Sequence, residues 1–514
     1  MKRVFVTSAV LLMVATGCTD LSESPQSAIS PSNFFRNEAE VLAGLAGVYA
    51  QLRSTVDDYY NVSEISSDEM VVPTRGQDWY DGGTWLDLHA QTFTPISPAT
   101  GAFLSGAWNA AFAGVARANV LLDALTRVTV PNQARVEAEA RTLRAFYYYL
   151  LLDLFGRVPV VTGPEIEQAA NPSRDSVFKF VEAELLAARP ALPVTWDAAN
   201  NGRVTRGVVD AMLANMYINA GVFTKDGAAG GISANSYNSC SGVTVSGGLT
   251  ACQAALNRAD SVLLSSAGYQ LADTFAQNFR ADNGTSPENI FVVKFIPQDG
   301  LGLNFVMRAL HYNQYNPSPW NGFATIAQTY NAFDSLDARR KIFLVGPQKN
   351  VLTGQPVNDR AGNPLVFTTS IGDITQATEG EGARIYKFPA DPNHVAQNNG
   401  NDFPWFRLSE MLLIKAEAEL DGATGTSTPL ALVQAVRARN FAVDTLSAVD
   451  LNAILRERLF EFTGEAKRRQ DLIRFGQYTA PWLFKSARPD NYVMMPIPQG
   501  QIDANPNLTQ NPGY

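Results

Sequence analysis

Two segments of this chain repeat one helical template, and that repetition narrows the folds open to it. Leu143, Phe146, Tyr147, Leu150, Leu151 and Leu154 lie at i, i+3, i+4, i+7, i+8 and i+11, with Gly156 placed as a stop. Val209, Met212, Leu213, Met216, Tyr217 and Ala220 follow the same spacing, with Thr205 as N-cap and Gly221 as stop. An amphipathic stripe of this kind is stable only when buried against another element, so the expectation is helix packed on helix. Further helices are predicted near 105–127, 173–189, 251–265, 407–420 and 429–440. Asn37–Glu40 has the form of a capping box ahead of Val41, Leu45, Val48 and Leu52. Antiparallel helix pairs stacked as a solenoid fit this pattern, without a clean repeat of about 34 residues.

Ile454, Leu455, Arg458, Leu459 and Phe462 trace one more apolar face, this time with an arginine inside it. Glu457, Glu461, Glu465 and Asp471 offer carboxylates within reach, and an Arg–carboxylate fork fixes geometry well. On periodicity alone a solvated charged face is the alternative. The order Glu457-Arg458, Glu461, Glu465, Arg468, Asp471-Leu472, Arg474, Gly476 resembles the C-terminal signature of the SusD/RagB family, the surface lipoproteins of nutrient-uptake systems. Ala466 stands where that family usually has Gly, and Arg469 where it usually has Trp. The tail, Met495–Gln499 followed by Ile502–Tyr514, resembles the family's ending, and Pro496, Pro498, Pro506 and Pro512 predict an extended strap over the body. Ala140–Pro159 and Gly202–Tyr217 are similar to two further family motifs, while Phe333-Asp334 with Asp337-Ala338-Arg339 resembles a recurrent turn with an ion pair. The resemblance implies a mostly α fold: tetratricopeptide-like helix pairs forming a right-handed superhelical scaffold that carries a large, loop-rich ligand-binding region.

Met1–Gly17 reads as a signal peptide, with Lys2-Arg3 ahead of an apolar run too short to span a bilayer. It ends Ala15-Thr16-Gly17-Cys18, which resembles a bacterial lipobox and implies acyl chains, palmitate among them, on Cys18. Ordinary cleavage with Cys18 left free is the alternative. The polar stretch 18–33 then reads as a tether, and 34–514 as a single domain. Within that domain the helical scaffold is expected mainly over 34–53, 105–283 and 404–476, the ligand region over 54–104 and 284–403, and the strap over 477–514. Lipid anchoring would hold the protein on the outer membrane, facing the cell exterior.

Several chemistries are disfavoured. A net charge of -9 makes the chain a poor partner for nucleic acid. His89, His311 and His394 lie far apart with no ligand spacing, so neither a metal nor another cofactor is expected. There is no phosphate-binding Gly-Lys loop, nucleophile elbow or metal-binding His pair, and the expectation is a non-enzyme. The Gly/Ser/Asn-rich segment 221–248 holds Cys240, with Cys252 just beyond; outside the cytoplasm these close a disulfide or stay as two thiols.

A neutral sugar offers only C–H faces and hydroxyls, so its receptor needs exposed rings for stacking and amides, carboxylates or Arg for hydrogen bonding. Two segments have that makeup. Residues 54–101 carry no clear helix but hold Asp68, Arg75, Trp79, Tyr80 and Trp85, with Gly82-Gly83 marking a turn that sets Trp79 and Trp85 on either side of a loop. The second holds Tyr312, Tyr315, Trp320 and Asn321, within a region whose one strand-like run is Ile290–Ile296. Trp79, Trp85 and Trp320 equally suit core rings beneath a loop. The resemblance implies glycan binding in a shallow aromatic arc built from these two zones, and delivery to a SusC-like TonB-dependent outer-membrane transporter. A peptide ligand is an alternative within that class. An anchored glycan hydrolase, for which the 49 acidic residues leave a carboxylate pair available, and a structural adhesin are alternatives outside it.

Overall fold

The computed structural model describes residues 34–514 apart from Ile166, so the expected signal peptide, Cys18 and the tether lie outside the described residues. Four longer helices come first: α1 (Glu38–Ile65), α2 (Ser105–Ala124), α3 (Gln133–Leu154) and α4 (Arg174–Ala188). Each packs on the next in that order. Next come α5 (Arg206–Ile218), α6 (Ala251–Leu263), α7 (Leu408–Leu420) and α8 (Pro429–Arg437), and these again pack in sequence. Two short helices, α9 (Leu451–Phe462) and α10 (Arg468–Arg474), close the scaffold. The fold is mostly α, as expected.

Local chemistry explains the boundaries. Asn37 Oδ1 accepts from Glu40 N at 3.1 Å, and the Glu40 carboxylate turns back to Arg36 N at 2.6 Å. Gly156 takes φ +68° and donates to Leu151 O at 3.2 Å, a helix stop that a left-handed residue makes possible. Thr205 Oγ1 caps Val208 N. Three expectations need correction. The helix after Thr205 ends at Ile218, and Gly221 sits inside a further helical turn, Ala220–Phe223. Its missing side chain matters for packing instead, because a Cβ there would lie 2.4 Å from the carbonyl oxygens of Asn238 and Ser239. The segment beyond residue 53 is helical as far as Ile65, with Thr84–His89 helical too. Its periodicity is hidden because Asn61, Ser63 and Glu64 are buried alongside Val56, Tyr59 and Tyr60. In the strap, Gln499–Ala504 forms a short helix between Pro498 and Pro506, prolines that bound a helix without interrupting it.

The strap is otherwise tied down residue by residue. Met495 N donates to Leu154 O at 2.9 Å, and Asn511 Nδ2 donates to both Phe155 O and Met495 O at 2.8 Å. The strand-like run becomes β1 (Asn289–Val293), paired antiparallel with β2 (Phe403–Arg407) and buried on the helices. Cys240 and Cys252 are joined as a disulfide, with Cα atoms 5.1 Å apart.

The charged signature near the C-terminus is a buried clamp. Arg458 Nε meets Asp471 Oδ2 at 2.8 Å. Glu457 and Glu461 both reach Arg339 Nη1, at 2.6 and 3.0 Å, and Arg339 also pairs with Asp337 across the expected turn. Arg407 at the end of β2 joins Glu461 at 2.9 Å and Glu465 at 2.7 Å. Every one of these groups is almost wholly buried. The two family departures acquire physical meaning here. Ala466 adopts φ +59°, a conformation that favours glycine. Arg469 is fully buried and donates through Nη2 to Asp153 O at 2.9 Å, beside its ion pair with the Asp153 carboxylate.

Candidate ligand-binding surface

Residues 68–85 and 312–323 meet at one place, and a single hydrogen bond joins their tryptophans: Trp79 Nε1 donates to Trp320 O at 2.6 Å. Gly82 (φ +68°) and Gly83 (φ +86°) form the turn that folds Trp85 back onto Trp79, with ring centroids 5.2 Å apart. Trp79 also packs edge-on to Phe323 at 5.6 Å. A Cβ on Gly322 would lie 2.3 Å from the Trp79 ring, so glycine is required for that approach. Trp85 Nε1 donates to Asp81 Oδ2 at 2.7 Å, and its ring lies 4.7 Å from Phe103. The pair is thus a packed wedge beneath the surface, with its polar edges satisfied.

Above the wedge the rings reach water. Tyr80 is 60% exposed, the most open aromatic of the candidate set, while Tyr312, Trp320 and Trp79 are half-buried. Tyr312 donates its hydroxyl to Asp78, and burial together with that bond pushes the hydroxyl up to about 12. The Arg360 guanidinium lies over the Tyr312 ring, 4.2 Å from its centroid, and pairs with Glu379. Burial opposes ionisation of Glu379, yet hydrogen bonds from His311 and Arg360 hold its carboxyl down to about 2. Burial lowers the His311 imidazole, which contacts Glu379 through Nε2 at 2.8 Å. Tyr312, Asp78, Arg360 and Glu379 are therefore contiguous, and with Trp320 against Trp79 they offer the donor and acceptor set a polyhydroxylated ligand uses.

The other candidates face inward. Asp68 is held by Arg468 at 2.7 and 2.8 Å. Arg75 is buried, donating to Thr378 O and, at 2.8 Å, to Glu381 O. Tyr315 is buried with its hydroxyl 3.3 Å from Asn399 Oδ1. Asn321, wholly buried at φ +53°, accepts from Arg384 at 2.9 Å and donates to Glu379 O at 3.2 Å. These four and Trp85 hold the loops in shape. Arg360 and Glu379 were missed, since nothing in the aperiodic stretch around them separates their charges from the rest of the loop.

Cys240, Cys252 and Asp421 bring potential metal ligands within 4.8 Å of one another, but both sulfurs are engaged in the disulfide, which leaves no thiolate for an ion. Among the described residues no helix is long and apolar enough to cross a membrane.

Comparison with known proteins agrees with this architecture. The model of the SusD family matches residues 231–483 and 481–514. The chain belongs to the SusD family. A second model, described as starch-binding associating with outer membrane, matches residues 22–218. Relatives within the SusD family include SusD-like protein P2 of Formosa agariphila, 24% identical with all of both chains aligned. The starch-binding protein SusD of Bacteroides thetaiotaomicron is 24% identical over 77% of this chain and 76% of its own. Among solved structures, surface glycan-binding protein A from Bacteroides thetaiotaomicron in complex with laminarihexaose superposes with a TM-score of 0.73 at 22% identity. It covers 92% of this chain and 99% of the other. These SusD-like structures share the tetratricopeptide-like helical scaffold described above.

Proposed function

We propose that this protein is a non-catalytic, lipid-anchored receptor at the cell surface that captures an oligosaccharide and passes it to a SusC-like TonB-dependent outer-membrane transporter. The observation that carries the reading is the junction of the two loops, where the packed Trp79–Trp85 wedge meets Trp320 and where Tyr312 joins Asp78, Arg360 and Glu379, with Tyr80 exposed next to Trp79 in the chain. Sugars stack on rings and bond to carboxylates and guanidinium, and an open face favours modest affinity and ready release. The glycan-binding names of the relatives lend support. The lipobox-like sequence ending in Cys18 supports the anchor, and the hand-off to a transporter is inferred from the family resemblance.

Titration of the soluble chain starting after Cys18 with laminarihexaose and maltohexaose tests this. The Tyr80→Ala/Tyr312→Ala variant should weaken binding at least about tenfold, roughly 1.4 kcal/mol, with an unchanged circular dichroism spectrum. Full affinity in that folded variant would remove the ligand from this surface. Co-purification of a TonB-dependent transporter with the anchored protein tests the hand-off.

A further inference from the structure

Helix α1 has a second, polar stripe. Ala50, Arg53, Ser54, Asp57 and Asp58 lie at i, i+3, i+4, i+7 and i+8, so they share one helix face, and that face lines a cleft. Phe295 and the segment from Gly300 to Phe305, with Arg308, form the opposite wall. The cleft encloses about 510 Å³, within the size range of small-ligand sites, and contains none of the rings of the aromatic surface.

Its lining is polar and incompletely satisfied. Two guanidiniums, Arg53 and Arg308, and two carboxyl groups, Asp57 and Asp58, line it together. Arg308 is fixed by Asn304 Oδ1 at 3.0 Å, Asn61 Oδ1 at 2.9 Å and the Asp57 carboxylate. Arg53 Nη1 donates to Lys294 O at 3.2 Å, which leaves its other donors free for a ligand. Asp58 is different. It is more than half buried, with one oxygen against Gly106 of α2, where a Cβ would lie 1.9 Å away, and no hydrogen bond reaches its carboxyl among the described residues. A half-buried carboxyl that the protein gives no donor, and that lines the cleft, can accept from a ligand hydroxyl. Hydroxyls both donate and accept, so a polyhydroxylated ligand satisfies carboxyl and guanidinium alike. Phe295 and Phe305 add apolar wall for C–H faces.

We propose that this cleft is a second carbohydrate subsite, taking a neutral sugar of one to three rings with hydroxyl bonds to Asp58, Arg53 and Asn304. It rests on the reading of the protein as a glycan receptor and extends it to a concave site apart from the open aromatic face. Arg308 touches both regions: its guanidinium lines the cleft, and its carbonyl accepts from Gly322 N and Phe323 N at 2.8 Å.

The test is calorimetric titration of the soluble chain starting after Cys18 with laminaritriose and maltotriose, and with glucosamine and glucuronate as charged controls. At least one trisaccharide should occupy two sites. Ser54→Trp, which fills the cleft from an exposed helix position, should abolish one of them, and Asp58→Asn should weaken the same one about tenfold. The Tyr80→Ala/Tyr312→Ala variant should keep it. A cleft site that persists when that variant loses nothing would count against the aromatic surface alone. Stoichiometry unchanged by Ser54→Trp in a folded protein, or no trisaccharide binding sensitive to it, overturns the proposal. Tighter binding of either charged control in the cleft overturns its assignment to neutral sugars.

Discussion

Arginine and carboxylate occur together in two regions of this molecule, and their surroundings set them to different work. In the clamp, Arg339, Arg407 and Arg458 meet Asp337, Glu457, Glu461, Glu465 and Asp471 where almost no surface reaches water. On the aromatic surface, Arg360 is half-exposed between Asp78 and Glu379. A buried ion is held by all its partners at once, because losing one strands the others without solvent. A half-exposed ion can exchange a protein partner for water or for a ligand hydroxyl at little cost. The first region therefore fixes the backbone, and the second is free to bind.

The largest effect should come from breaking the clamp. Glu461→Ala removes the shared partner of Arg339, Arg407 and Arg439, and should lower unfolding free energy by about 3–5 kcal/mol in urea titrations. A loss under about 1 kcal/mol would mean that the three guanidiniums find other partners and that burial does not set the contrast.

Next in size is a pH effect at the clamp's edge. The carboxylates of Glu64 and Glu69 take the backbone N–H groups of Ala466 and Gly464, and burial raises both carboxyls, Glu64 to about 7. A raised carboxyl keeps its proton in the folded state above the unfolded value of about 4.3, so the unfolded state binds fewer protons and stability declines as pH rises from there through 7. Glu288, Glu461 and Asp471 run the other way. Burial opposes their ionisation, but arginine partners hold them low, so their contribution is full above about 4 and fades as pH falls. Denaturation between pH 4.5 and 7.5 should show the decline, and Glu64→Gln should flatten it. An unchanged slope would remove Glu64 as its source.

A smaller effect is expected at Ala466. Ala466→Gly relieves the left-handed backbone but adds unfolded-state freedom, for a net gain of about 0.5–1 kcal/mol in the urea midpoint analysis. Destabilisation would show that the Ala466 methyl, itself buried, contributes more than its backbone strain.

Smallest for stability is Arg360→Ala, expected to change unfolding by less than about 0.5 kcal/mol. It also uncovers the Tyr312 ring, so oligosaccharide affinity should shift even though the fold does not. A stability loss matching that of Glu461→Ala would erase the distinction between the regions.

Much of the scaffold was legible in the sequence because a buried helix face writes itself in residue spacing. The caps at Asn37 and Thr205, the stop at Gly156 and the helices from α2 to α8 all follow from local patterns. Helix α1 beyond residue 53 was not legible, since its polar residues are buried by contacts far along the chain: Glu64 against Ala466, and Tyr59 against Asp153. The two aromatic loop segments stand out by composition, but the internal roles of their residues do not. Trp79, Tyr80 and Trp85 look alike in sequence, yet one is wedged, one is open and one is buried.

By itself the sequence determined a helical scaffold, a charged C-terminal signature and two aromatic loops, because spacing, capping and composition act over a few residues. Only the tertiary structure decided which ions are sealed, which rings reach water and that residue 79 meets residue 320. Burial and long-range contact depend on what the rest of the chain places alongside, and no local pattern records that.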